Sequence, residues 1–207
     1  MIPMPEPLHV SYLAKARERS TARVEIRWIS SSQFEQKIVH APLFGVTREM
    51  LYWWMHHIGD HVDWEGSSVQ AYRLWHPRDH IDWSCDGPVR VGSKFRIVEA
   101  FQREARFRVD RVFDLPKLDI SGFRIETGFA GFAKISVDED WEDVPGGVRW
   151  TNTMRVSTPS NFLAPLVWAG QYANRANLEA WINHNIEEVG FIPEFLPQIY
   201  LSRTSSS

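Results

Sequence analysis

The sequence predicts an α+β fold in which a curved antiparallel sheet is packed by one long C-terminal helix, and three observations carry that expectation. Ala105, Phe107, Val109, Arg111 and Phe113 alternate with Arg106, Arg108 and Asp110, and Phe132, Lys134 and Ser136 alternate with Ala133, Ile135 and Val137. A period of two is that of half-buried antiparallel strands. Turn signals at Asp86-Gly87-Pro88, Ser121-Gly122 and Pro145-Gly146-Gly147 divide this region into short segments. Beyond Ser157-Thr158-Pro159 the period changes to that of a helix.

Taken in order, Thr47 can cap a helix through Met50, Leu51, Trp53, Trp54 and Ile58, with Glu49 at its positive end and Gly59 as its stop. Further strands are expected at Arg23 to Ile29, Val69 to Trp75, Ser93 to Phe101, Leu118 to Glu126 and Val148 to Val156. The final helix would start at Ser160 or Asn161, hold Pro165 in or near its first turn and stop at Gly190. A sheet closed on one side by such a helix is a helix-grip (Bet v 1-like) arrangement, and the space between them is a pocket for something small.

The chain has 207 residues, 43% hydrophobic, with ten Trp, enough apolar surface for a sizeable core. No linker or repeat divides it, so a single domain over 1–207 is expected, with poorly ordered ends at 1–20 and 202–207. A net charge of −3 gives no basic field for nucleic acid. The apolar stretch Phe162 to Ala169 is far too short to span a bilayer. The single Cys85 and an N-terminus without a leader-like apolar run point to a cytoplasmic location. An exposed face of the Trp53-Trp54 helix could serve a homodimer.

Three places can carry chemistry. His184 and Glu188 stand four apart on the long helix and offer one nitrogen and one oxygen on the same face, suitable for a metal or equally for an ordinary His-Glu pair. His76, Asp79 and His80 gather at the mouth of a strand that ends at Pro77, although His76 could cap a turn and Asp79 could form an Asx-turn. Glu99 points inward only if it shares a face with Phe95 and Ile97 rather than facing solvent opposite Arg96, Val98 and Ala100. No nucleophile elbow or glycine-rich nucleotide fingerprint is present, and the acids beside Cys85 disfavour its thiolate.

The run Tyr72-Arg-Leu-Trp-His-Pro-Arg-Asp-His80, the strand Ile97-Val98-Glu99 and the helix His184-x-x-x-Glu188 together resemble the 2,4-diacetylphloroglucinol hydrolase and phloretin hydrolase family. Met50 to Trp54 is similar to that family's aromatic helix. The resemblance spans about residues 40 to 190, and implies a Zn²⁺ ion held by His80, Glu99, His184 and Glu188, with Tyr72 contacting phenolic oxygens of the substrate. It implies hydrolysis of a carbon-carbon bond between an acyl group and a polyhydroxylated ring. The leaving ring carbon must be stabilised by ortho and para hydroxyls, or by an equivalent β-diketone. His76 and Asp79 join Tyr72 as candidates to orient or protonate the substrate. Trp53, Trp54, Trp75, Trp83 and Trp181 are candidates for an aromatic-lined pocket.

Two alternatives accompany this reading. The same four ligands could serve a cyclase or isomerase that tailors a polyketide without consuming water. A metal-free carrier of small hydrophobic molecules needs no convergence of the four at all.

Overall fold

The computed structural model describes residues 2–129, 133–159 and 175–205. The strands are β1 (Arg23–Ser30), β2 (Gln33–Val39), β3 (Leu43–Phe44), β4 (His61–Trp64), β5 (Ser67–Gln70), β6 (His80–Cys85), β7 (Lys94–Ala100), β8 (Arg108–Asp119), β9 (Gly122–Phe129), β10 (Ala133–Val144) and β11 (Gly147–Ser157). Helices α1 (Arg48–His57) and α2 (Ala71–Trp75) lie between β3 and β6, and α3 (Arg175–Thr204) follows the sheet. The main sheet is antiparallel in the order β1-β2-β11-β10-β9-β8-β7-β6, with β3 added to β11. Among the described residues, β4 and β5 alone pair separately. This is the helix-grip architecture the sequence predicts.

Helix α1 begins where expected: the Thr47 side chain accepts a hydrogen bond from Met50 N at 3.3 Å, satisfying a first-turn donor. Its end differs in cause. Gly59 is not a left-handed stop, because a Cβ there would lie 2.6 Å from Trp83 Cε3, and its role is to let the indole approach the backbone.

The segment predicted as a strand over Val69 to Trp75 splits, with β5 ending at Gln70 and α2 following. Ala71, Tyr72, Leu74 and Trp75 are all buried, and an apolar run buried on every side carries no period to separate helix from strand. The expected strand Leu118 to Glu126 is likewise two strands meeting at Ser121-Gly122. Ala105 to Phe107 form a short 3-10 turn before the alternation becomes a true strand at Arg108.

The predicted helix start at Ser160 or Asn161, with Pro165, lies outside the described residues. At the other end α3 runs on past Gly190 to Thr204 and contains Pro193 and Pro197. Gly190 is a close-approach residue: a Cβ would sit 2.6 Å from Arg17 Cγ, whose guanidinium donates to Ala41 O and Pro42 O. Val189, Phe191, Ile192, Phe195, Leu196 and Ile199 pack into the main core with Trp54, Leu43 and Trp150, so this half of α3 is held by burial.

That core fills one end of the space between sheet and helix, and the N-terminal segment covers it. Tyr12 is buried and donates to Leu74 O at 2.6 Å. Arg73, Arg103 and Arg108 donate to the carbonyls of Glu6, Pro5 and Ile2. Trp54 packs on Phe195 and Trp53 on Tyr200, so both indoles face α3 rather than the cavity. No helix among the described residues is long and apolar enough to cross a membrane.

A charge ladder crosses five strands: Arg27 and Arg155 both bond Glu35, Arg155 also bonds Asp138 at 2.7 Å, and Arg124 bonds Asp138 at 2.5 Å. Burial pushes the Glu35 carboxyl up, but the two arginines pull it further down, so its net shift is below the usual range. A depressed folded value means a contribution fully present above the unfolded value near 4.5 and lost as the pH falls below it. Glu35→Gln should cost about 1 kcal/mol in urea unfolding at pH 7, and the difference from the parent should shrink at pH 3. Gly59→Ala should cost about 1–3 kcal/mol by the same measurement, because the Trp83 ring must move.

Candidate metal centre

The cavity left between the curved sheet and α3 encloses about 220 Å³. Its walls include Trp83, Phe95, Ile97, Phe113, Phe123 and Trp181, and its polar patches include Tyr72, His80, Glu99, His184, Asn185 and Glu188. Trp75 also lines it, whereas Trp53 and Trp54 do not.

Strand register builds the first half of the site. His80 opens β6 directly opposite Glu99 on β7, with a register shift just beyond at Ile81. Residues directly opposite in an antiparallel pair have Cβ atoms about 5 Å apart, so the two side chains meet. Glu99 shares the inward face with Phe95 and Ile97, while Val98 and Ala100 pack on the other side against Ile81. The helix supplies the second half, with His184 and Glu188 one turn apart and both buried.

The four side chains converge. His80 Nε2 lies 3.4 Å from Glu99 Oε2 and 3.4 Å from Glu188 Oε2. His184 Nε2 lies 3.3 Å from Glu99 Oε2 and 3.7 Å from Glu188 Oε2. Each imidazole is bonded through its other nitrogen: His80 Nδ1 to Tyr72 O at 2.8 Å and His184 Nδ1 to Asp79 Oδ2 at 3.0 Å. Those acceptors place the ring protons on Nδ1, so both Nε2 lone pairs face the carboxylates. Buried His80 Nε2 has no hydrogen-bond partner.

Aromatic rings hold the imidazoles in place. Tyr72 stacks on His80 with centroids 3.9 Å apart and planes 4° from parallel, and His76 stacks on His184 at 4.5 Å. The Tyr72 hydroxyl donates to Glu99 Oε2 at 3.1 Å. Its burial and the nearby Glu99 charge raise its pKa, so it stays a proton-bearing donor. Glu188 Oε1 accepts from Asn185 Nδ2 at 2.8 Å, and Asn185 Oδ1 meets His40 Nε2 at 3.1 Å. Burial holds His40 down to about 3, so it is a neutral donor at physiological pH.

Asp79 and His76, expected as substrate-facing residues, stand behind the ligands and do not line the cavity. Burial raises the Asp79 carboxyl, but His184 outweighs it with a hydrogen bond and, together with His76, with charge, and Gln102 N also donates to Asp79. His76 Nδ1 accepts from Asp79 N at 3.2 Å, and His76 Nε2 lies 3.4 Å from Glu187 Oε2. Asp79 thus acts as an orienting residue.

Two groups among the described residues bring three ligating atoms within 4.8 Å of one another: His80 with Glu99 and His184, and His76 with Asp79 and His184. In the second, His184 Nδ1 and Asp79 Oδ2 are already hydrogen-bonded to each other, and His76 Nε2 lies 3.6 Å from Asp79 Oδ2. Glu188 approaches the first group, 3.4 Å from His80 Nε2 and 3.7 Å from His184 Nε2, and the charge of the two carboxylates matches that of a divalent cation. Burial alone lowers His184, but Asp79, Glu188 and Glu99 raise it well above its ordinary range, so with no cation present the ring itself takes up the positive charge on Nε2 that a bound ion would otherwise supply. The residues present fit a Zn²⁺ ion.

Sequence reasoning missed Asn185, His40 and a further buried acid, Glu139. For Glu139 the signal was available: it continues the inward series Ile135 and Val137 before Trp141. Asn185 and His40 left no local signal, because their pairing joins residues 145 apart in sequence.

No protein-family model matches the chain, and no curated protein matches it. Among solved structures it is similar to the di-domain ARO/CYC protein BexL from the BE-7585A biosynthetic pathway, with a TM-score of 0.56 at 9% identity, over 81% of this chain and 51% of that one. The chain therefore spans about half the length of that neighbour. Protein Ms6760 from Mycobacterium smegmatis has a TM-score of 0.47 at 12% identity, covering 81% of this chain and 96% of that one. For Ara h 8.0201 the values are 0.42, 13%, 74% and 96%.

Protein purified without added metal should contain about one divalent ion per chain by elemental mass spectrometry, lost in His184→Ala and in Glu99→Ala. Asp79→Asn should weaken metal affinity about 10–100-fold, with an unchanged circular dichroism spectrum.

Proposed function

We propose that the cavity is the active site of a zinc-dependent enzyme that cleaves a carbon-carbon bond in an acylated polyphenol or β-diketone by hydrolysis. The observation that carries this reading is the convergence of two buried imidazole Nε2 atoms with the buried Glu188 and the half-buried Glu99 in an aromatic-walled cavity. When bound by His80, Glu99, His184 and Glu188, a Zn²⁺ ion supplies a Lewis acid that polarises carbonyl and water oxygens. The resemblance to the 2,4-diacetylphloroglucinol and phloretin hydrolases rests on the same four residues together with Tyr72.

The chain's own groups divide the remaining work. Tyr72 keeps its proton and stands beside Glu99, where it can donate to a phenolic or enolic oxygen and orient the substrate. Phe95, Phe113, Phe123 and Trp83 provide flat apolar surface against which a ring stacks and from which bulk water is excluded. Asp79 keeps His184 in the Nδ1–H tautomer throughout. In the net reaction the hydroxyl of water ends on the acyl carbon, and the ring carbon takes a proton in place of the acyl group.

A second reading, closure or isomerisation of a polyketide on the same four residues, draws on the likeness to BexL, a di-domain ARO/CYC protein of a biosynthetic pathway. The two differ in whether water is consumed. Incubating the zinc-loaded protein with mono- and diacetylphloroglucinol should release acetate and the deacylated ring in equal amounts. His80→Ala should lower the rate at least about 1,000-fold. An isomeric product without released acid would instead establish the cyclase reading. A folded parent that takes up no metal even when zinc is offered would overturn both and leave a binding protein.

A further inference from the structure

The cavity holds a second polar station that the four ligands and Tyr72 do not use. Glu139 on β10 lines the cavity and is 6% exposed. Trp150 Nε1 donates to its Oε2 at 2.5 Å, and Asn152 Nδ2 donates to its Oε1. Both donors sit on β11, Trp150 and Asn152 are completely buried, and Asn152 is the residue directly opposite Glu139 in the strand register.

We propose that Glu139 is a further catalytic residue of this pocket, the acid that delivers a proton to the substrate carbon receiving the electron pair of the breaking carbon-carbon bond. This deepens the reading of the cavity as a carbon-carbon hydrolase site and rests on it. Three observations support the assignment. Glu139 has no arginine, lysine or histidine within ion-pair distance among the described residues, unlike Glu35, Glu99 and Glu187. Its two donors are neutral and occupy one lone-pair site on each oxygen, leaving a site on each for a proton. Burial raises its carboxyl well above the usual range, and the charge of Glu188 adds to this against the pull of Trp150 and Asn152.

Charge accounting points the same way. Arg106, Arg108 and Arg111 also line the cavity, but no ion pair among the described residues joins any of them to Glu139; with Glu99 and Glu188 balancing one divalent ion, an ionised Glu139 would be a third carboxylate without a contacting counter-ion. As a neutral acid it is a donor instead. The step balances: the Glu139 O–H bond breaks, a C–H bond forms on the ring carbon that gains the pair, and the carboxylate regains a proton from the water whose hydroxyl ends on the acyl carbon.

The test compares the parent with Glu139→Gln, which keeps the shape and an acceptor for Trp150. Infrared difference spectra at pH 7 should show a protonated carboxylic acid carbonyl band in the parent that is missing in the variant. With acetylphloroglucinol the variant should lose about 100-fold or more in kcat, with KM changed less than about threefold and zinc content and Tm near those of the parent. An ionised Glu139 at pH 7, or an unchanged kcat in an active parent, would overturn the proposal. A parent without zinc or without turnover would fail the hydrolase reading instead, and the infrared band would still decide whether Glu139 is an acid. If the variant misfolds, Glu139→Asp, which keeps the proton, should restore part of kcat.

Discussion

Two carboxylates, Glu99 and Glu188, sit in an apolar cavity within 3.7 Å of the same two imidazole nitrogens, and that arrangement cannot persist without positive charge between them. Much of the surrounding structure serves this constraint. The turn through α2 brings His80 to the head of β6, the pairing of β6 with β7 sets Glu99 against it, and α3 lowers the second His-Glu pair onto the first. Each half alone would bury an uncompensated charge. The C-terminal helix is therefore both a wall of the cavity and half of the centre that gives the cavity its chemistry.

Around His80, Glu99, His184 and Glu188 lies a layer that removes their freedom. Asp79 fixes the His184 tautomer, the Tyr72 carbonyl fixes that of His80, and Asn185 holds the second oxygen of Glu188. His40 is buried at the end of β2, and its neutrality matters: as a cation it would compete for Asn185 and add positive charge beside the site. Tyr72 and His76 stack on the two ligand rings, so rotation of either imidazole would cost packing as well as a hydrogen bond. Ligand geometry set by such partners forms with the fold rather than at the moment of binding.

How legible this was depended on the range of the interaction. The alternation from Val109 to Phe113, the cap at Thr47 and the i, i+4 spacing of His184 and Glu188 are local, and the structure follows them. The path through Tyr72 to Trp75 was not legible, since a segment buried on all sides has no amphipathic period. Gly190 was misread as a stop, and Gly59 does follow the end of α1 but for a reason the sequence did not show: each makes room for a side chain distant in sequence, Arg17 and Trp83. Convergence of His80 with Glu99 needed the strand register, which periodicity cannot give. The family resemblance, carried by short motifs in a fixed order, grouped His80, Glu99, His184 and Glu188, whose side chains meet in the cavity, and it assigned Asp79 and His76 no role in holding them.

Strand order also explains why one fold can offer two kinds of polar group to one ligand. Glu99 on β7 and Glu139 on β10 lie on the same concave face, separated by β8 and β9, three inter-strand spacings or about 14 Å along the sheet. Curvature turns inward-pointing side chains toward one another, so residues far apart along the sheet face a common space. The strands between them contribute Phe113 and Phe123, apolar surface that hydrogen-bonds to nothing. In the proposed reaction a flat ring lying on that surface would meet the His-Glu cluster at one edge and Glu139 toward the other. Such a gradient suits a reaction in which electrons leave a polarised carbonyl and arrive at a ring carbon, because each end of the bond is met by the group its charge requires.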